Sequence, residues 1–284
     1  MNQPPPLQYS YSGTTLVSCD KNISGELSIP NHVTAIGNWA FKDCKGLTSI
    51  TLPNGVTEIR VAAFNDCTNL TTINLPESVI KIGGYAFRGC TNLTSINLPS
   101  NVTKLGLWAF NCCINLTSIE IPSKVTELES NLFSGCESLT SVKIPYGVTK
   151  IGCSVFMGCT SLASIVIPNS VTVIESEAFD YCTSLTSIAI PDSVTEIGEN
   201  AFSNCTSLTK VTIPASVSKL GIWVFEDCSN LTEIHLRHTK PVEFPNSFLG
   251  IDLSKITLYV PTGSRIDYVN HPIYSKFREV KEED

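Results

Sequence analysis

Twelve cysteines and four histidines are the side chains of this 284-residue sequence best suited to nucleophilic, redox or metal chemistry. Nine of the cysteines fall at 44, 67, 90, 113, 136, 159, 182, 205 and 228, one every 23 residues. Thiols so placed would pair, bind zinc or lie buried. A disulfide needs side chains that point at each other, whereas equivalent positions of a repeat carry parallel Cβ vectors. Zinc needs grouped ligands, such as C-x-x-C with a second pair or with histidines, and no such group recurs. The ladder therefore reads as free, buried thiols that act as small hydrophobes. Cys19, Cys112 and Cys153 stand off the ladder, and Cys112 is expected to face outward and to be more reactive than Cys113.

The histidines are His32, His235, His238 and His271. His235 and His238 with Glu233 have the makings of a metal or acid–base site. They fall where the repeat breaks down, and chance proximity is the plainer reading. No H-E-x-x-H, G-x-S-x-G or phosphate-binding glycine-rich sequence occurs. The sequence thus assigns no catalytic residues, no cofactor and no metal, and the chain is read as not an enzyme.

The elements that must position all these residues are set by one period. Phe recurs at 41, 64, 87, 110, 133, 156, 179, 202 and 225, and Pro at 30, 53, 76, 99, 122, 145, 168, 191 and 214. A fixed period of this length means a solenoid, in which each coil buries its apolar side chains only by stacking on the next. One coil, LTSITLPNGVTEIRVAAFNDCTN from Leu47 to Asn69, shows three parts. Ile50 and Leu52 share one face of a strand that Pro53 ends. Val56 and Ile59 point inward from a second short extended piece. Ala62 to Cys67 reads as a single helical or 3₁₀ turn, with Phe64 as the anchor of the coil.

Residues 1–26 are expected to form a lead-in, with Met1 to Pro6 disordered and Tyr9, Tyr11, Leu16, Val17 and Ile23 in a capping hairpin. Residues 27–236 hold nine regular repeats. Residues 237–284 form an irregular last coil, marked by Pro241, Phe244 and Pro245, and a cap. Within the cap a strand ends at Pro261, a short helix spans Arg265 to Val269, and Tyr274, Phe277 and Val280 cover the last open face. Lys281 to Asp284 reads as a solvated tail, and the whole as one continuous solenoid domain.

The repeat L-x-x-I-x-L-P-x-x-V-T-x-I-G-x-x-A-F-x-x-C resembles the BspA-like, or Treponema-type, class of leucine-rich repeats. Leu93 to Ile96, Leu98-Pro99, Val102-Thr103, Leu105-Gly106, Ala109-Phe110 and Cys113 fit it in order, and YVPTGSRIDYVNHPIYSKF resembles that family's C-terminal cap. The resemblance covers residues 9 to 280. It implies an α/β repeat solenoid, a right-handed leucine-rich-repeat superhelix with a parallel β-sheet on one face and short strands and helical turns on the others. It also implies a cell-surface or secreted protein, several relatives being adhesins for host extracellular-matrix proteins or for other bacteria. Arg60, Glu129 and Glu175 replace the usual Gly, and Leu132, Val155 and Val224 the usual Ala.

Composition narrows the partners. With 26 acidic and 19 basic residues the formal net charge is -7, which argues against nucleic acid, whose binding relies on basic surface. No apolar run is long enough to span a membrane. The segment MNQPPPLQYS has neither the basic nor the apolar region of a secretory signal. Either an export signal or lipid anchor has been removed, or the protein acts in the cytoplasm.

Two surfaces are candidates. Outward strand positions form polar columns in which Asn97, Glu120, Lys143 and Val166 include the departures from the repeat's usual hydroxyl and amide residues, and these four are taken as the ligand-binding face. The plainer reading is a solubilising polar face. Trp39, Tyr85, Trp108 and Trp223 all stand two residues before a Phe. Tyr85 and Trp108, in adjacent coils, are taken as an aromatic patch, against the plainer reading that each ring covers a seam. The expected function is non-enzymatic recognition of a host or bacterial protein or glycan, with an intracellular interaction scaffold or a structural spacer as the alternatives.

Overall fold

The computed structural model describes residues 7–284 except Tyr11 and Pro245. The expectations for Met1 to Pro6, Tyr11 and Pro245 lie outside the described residues. The chain divides into two compact units, Met1–Gly147 and Val148–Asp284.

In the first unit Leu7–Tyr9 pairs antiparallel with Thr15–Cys19, the expected hairpin. Thr15–Cys19 then heads a parallel ladder that continues through Ala35–Ile36, Glu58–Ile59, Lys81–Ile82 and Lys104–Leu105. A second parallel ladder runs Ser24–Ser28, Gly46–Thr51 and Thr72–Asn74. Ser95 joins Ser118 by a single bridge, and Ser118–Glu120 pairs with Ser141–Lys143. Registers such as Ile50 with Ile73 and Ile119 with Val142 keep the 23-residue step, so apolar side chains stack inward on their equivalents.

The second unit repeats the plan. Lys150–Ile151, Val173–Ile174, Glu196–Ile197 and Lys219–Leu220 form one parallel ladder. Ser187–Ala189, Lys210–Ile213, Glu233–Leu236, Thr257–Pro261 and Glu279–Glu283 form the other. The predicted tail is therefore corrected: Lys281, Glu282 and Glu283 are residues of the last strand. Glu283 Oε1 lies 2.6 Å from His235 Nδ1 and 3.0 Å from Arg237 Nη1, which ties that strand to the sheet. The short helix Arg265–Val269 is present as expected, and Tyr274, Phe277 and Val280 are buried.

The Pro of a repeat closes a turn rather than a ladder. Val33, Val56, Val79, Val102 and Val125 donate their N–H groups to the Pro carbonyl three residues back at 3.0–3.1 Å. Proline has no N–H to give, but its carbonyl remains free to accept.

The third side of the coil differs from the expected helical turn. Two residues per coil, two before and two after the Phe, sit in the left-handed region: Trp39 and Asp43, Ala62 and Asp66, Asn200 and Asn204. Hydrogen bonds alternate accordingly. Ala40, Lys42 and Cys44 donate to Gly37, Trp39 and Phe41 of their own coil at 3.0–3.3 Å. Trp39, Phe41 and Asp43 donate instead to Val61, Ala63 and Asn65 of the next coil at 2.7–2.9 Å. A helix would keep every N–H within its own turn; this segment shares half of them with its neighbour. The solenoid consists of parallel sheets and tight turns, with little helix.

The core is a column of rings. Phe41, Phe64, Phe87, Phe110 and Phe133 stack in the first unit with centroids 5.0–5.7 Å apart. Phe156 to Phe225 do so in the second, and Phe248 extends that column, 6.5 Å from Phe225. Phe248 keeps the 23-residue step, and Asn246 and Gly250 keep the two left-handed positions. The last coil thus retains the turn of the repeat while Arg237 and Ile251 replace its Pro and Cys.

Candidate recognition face

The outward side chains of a strand alternate with the buried ones, and among the described residues no helix covers them on this sheet. In the first unit the outer residues of Thr72–Asn74, Ser118–Glu120 and Ser141–Lys143 are exposed. Asn97, Glu120 and Lys143 fall in one column, and the Lys143 ammonium pairs with the Glu120 carboxylate. Together with Ser95, Ser118 and Ser141 they rim a shallow depression of about 440 Å³. A second depression of about 230 Å³ runs from Ser49 and Thr51 through Thr72 and Asn74 to Asn97. The structure so brings three of the four predicted face residues together. Val166 belongs to the second unit, where it bridges Ala189 and is 81% exposed.

Hydroxyl groups just before these columns are already occupied. The Thr71, Thr117 and Thr140 hydroxyls donate to the carbonyls of Thr48, Thr94 and Thr117 in the preceding coil at 3.0–3.2 Å. These threonines hold the stack together, which is why they recur. The Glu120–Lys143 pair has no such duty: both side chains are about 70% exposed, and an exposed pair contributes little to stability.

Tyr85 and Trp108 stack, with centroids 6.0 Å apart and planes 8° apart. Both occupy the left-handed position before the Phe, φ 59° and 58°, an unusual setting for a bulky side chain. Leu107 is exposed beside them, and its carbonyl accepts the Tyr85 N–H at 2.9 Å. Trp39 and Val61, both exposed, repeat that arrangement. Val61 and Leu107 were not singled out from sequence; the available signal was an aliphatic residue where Ser, Asn or Glu stands in other coils.

The histidine cluster is partly assembled. His235 Nε2 lies 3.4 Å from Glu233 Oε2, and the ring stacks on Tyr259 at 4.4 Å. His238 turns away: its Nε2 lies 2.9 Å from the Val217 carbonyl, and it meets Phe244 edge-on. His235 holds the final strand, as described above. Among the described residues no group of three or more His, Cys, Asp or Glu is placed to hold a metal ion, and the twelve cysteines are thiols rather than disulfides. Cys112 and Cys153 are half-exposed, while Cys113 is buried. Burial pushes Cys90, Cys113, Cys182 and Cys205 well above the ordinary thiol range, and Cys228 up to about 12.

The sequence profile described as a BspA type leucine rich repeat region matches residues 18–140, 57–168 and 149–267, with six copies. The chain belongs to the BspA-type leucine-rich repeat family. A leucine-rich repeat protein from Bacteroides ovatus is 30% identical, covering 99% of this chain and 76% of its own, with a TM-score of 0.80. A leucine rich cell surface protein from Faecalibacterium prausnitzii is 25% identical over 98% of this chain and 93% of its own, TM-score 0.51. The pneumococcal vaccine antigen PcpA shares the fold at 22% identity over 93% of this chain and 68% of its own, TM-score 0.57. No curated protein matches the chain. Leucine-rich repeat proteins mediate protein interactions. No helix among the described residues is long and apolar enough to cross a membrane.

Proposed function

We propose that this BspA-type protein is an adhesin-like recognition module, at the cell surface or secreted, that binds a host or bacterial protein or glycan. Host extracellular-matrix proteins are the first class of partner to consider. The observation that carries the reading is the Glu120–Lys143 pair on the rim of the depression it shares with Asn97. It is a departure from the usual hydroxyl and amide residues that the stack itself does not need. Val166 adds an exposed apolar contact on the sheet face of the second unit. Tyr85 and Trp108 offer a second, aromatic contact on another side of the coil. Surface location draws support from the likeness to the Faecalibacterium cell surface protein.

The test is binding of the purified chain to a panel of extracellular-matrix proteins and glycans. Two double variants accompany it, Glu120→Ala with Lys143→Ala, and Tyr85→Ala with Trp108→Ala. Saturable binding lost in the first pair, with an unchanged circular-dichroism spectrum, supports the sheet face. Loss in the second pair alone moves the site to the aromatic ridge. Binding to no member of the panel overturns the adhesin reading in favour of a scaffold or spacer.

A further inference from the structure

Thiols of the ladder share a partner rule from which Cys44 departs. Cys67, Cys90, Cys113 and Cys136 donate their S–H groups to the carbonyls of Phe41, Phe64, Phe87 and Phe110 in the preceding coil at 3.0–3.2 Å. Cys182, Cys205 and Cys228 do the same in the second unit. Cys44 opens the ladder and has no phenylalanine behind it. The lead-in supplies a different partner. Cys44 Sγ lies 3.8 Å from the Asp20 carbonyl oxygen and Cys19 Sγ lies 3.5 Å from the same oxygen, so the two thiols converge on one carbonyl. Cys19 ends the strand Thr15–Cys19, two residues out of step with the ladder, and its thiol reaches the same carbonyl oxygen as Cys44.

We propose that Cys19 and Cys44 are a redox-active dithiol that a low-molecular-weight disulfide, such as oxidised glutathione, closes into a disulfide joining the lead-in hairpin to the first coil. Cys19 is half-exposed and Cys44 buried, so the incoming disulfide meets Cys19 first. The Cys19 thiolate attacks one sulfur of the oxidant, breaking its S–S bond and releasing one thiolate. Cys44 then attacks the Cys19 sulfur of the mixed disulfide and expels the second thiolate. Two protein S–H bonds are replaced by one S–S bond, and the oxidant leaves as two thiols carrying those two protons. Cys67, Cys90, Cys113, Cys136, Cys182, Cys205 and Cys228 differ in that each has a carbonyl oxygen that no second thiol shares.

The reduced full chain, equilibrated with glutathione at graded ratios of oxidised to reduced form, tests this. Alkylation and non-reducing peptide mapping should give one cross-linked species, Cys19 to Cys44, with the ladder thiols from Cys67 onward alkylated only after unfolding. Oxidation should raise the thermal midpoint of the wild type by several degrees and leave that of Cys19→Ser unmoved. A Cys112→Ser variant should retain the cross-link. The proposal is overturned if the pair stays reduced at every ratio while the native spectrum persists. It is equally overturned if Cys19 accumulates only as its glutathione mixed disulfide, or if Cys44 links to another cysteine.

Discussion

The Cys90 thiol donates to the Phe64 carbonyl at 3.2 Å, and the Cys67 N–H donates to that same oxygen, also at 3.2 Å. One carbonyl thus serves its own coil through a backbone bond and the next coil through a thiol. The recurrence of Cys, where Ala or Val would fill similar space, follows from this: the position calls for a small apolar side chain that still carries a weak donor.

Cys90→Ala removes sulfur volume and the donor together. It should lower stability by about 1–3 kcal/mol, measured by urea unfolding. In the wild type, Cys90 should resist an aromatic disulfide reagent at mildly alkaline pH until the protein unfolds, because burial holds its thiol protonated. The half-exposed Cys112 should react in the folded state.

Phe64 lies between Phe41 and Phe87, 5.0 and 5.3 Å away with planes within 4° of parallel. Phe64→Ala opens a cavity and breaks two stacked contacts. It should cost about 3–5 kcal/mol, read as a lower denaturation midpoint. A cost similar to that of an exposed-residue change would refute the anchoring role.

Asn200 sits at φ 53° with its N–H bonded to the Ile222 carbonyl at 3.1 Å. Asn and Gly tolerate that region and β-branched residues do not. Asn200→Val should destabilise by about 1–2 kcal/mol, whereas Asn200→Gly should stay within about 0.5 kcal/mol of the wild type.

Two carboxyls give opposite pH dependences. The Arg60 hydrogen bond, with Lys81, holds Glu58 below the usual carboxylate range. Its stabilising contribution is present above its ordinary pKa of 4.5 and is lost as pH falls through the lower folded value. Burial raises Asp180 above its usual range, although Asn204 donates to it at 3.0 Å. The folded state therefore holds the Asp180 proton more tightly, and its contribution declines as pH rises from 3.8 through that raised value. Glu58→Gln should flatten the acid loss of stability in a pH series of urea melts. Asp180→Asn should remove a loss on the alkaline side of 3.8 and leave the neutral-pH protein at least as stable.

Glu120→Ala and Lys143→Ala should leave the unfolding midpoint unchanged, because the pair is exposed on both sides. A measurable drop would mean that the pair serves the stack, and would remove the reason for assigning it to recognition.

Much of this protein was legible before any coordinates. The 23-residue step of Phe, Pro and Cys dictated a solenoid, since one coil cannot bury a Phe by itself, and the period-2 pattern at Ile50 and Leu52 told inward from outward side chains. Helix Arg265–Val269 and the stacking of Tyr85 on Trp108 followed from local pattern and adjacency. Other features needed the tertiary structure, because their partners lie in a neighbouring coil or across a gap in sequence. Ala62 to Cys67 has the spacing of a helical turn. Its alternate N–H groups find carbonyls in the next coil, and that competition puts Ala62 and Asp66 in the left-handed region. Lys281 to Glu283 has the composition of a solvated tail, yet the unpaired edge of Thr257–Pro261 and the buried His235 make it a strand. Cys19 is two residues off the ladder in sequence, and only the fold of the hairpin brings it to Cys44. Periodicity determines what repeats; which groups satisfy the ends of the repeat is decided by the few contacts that occur once.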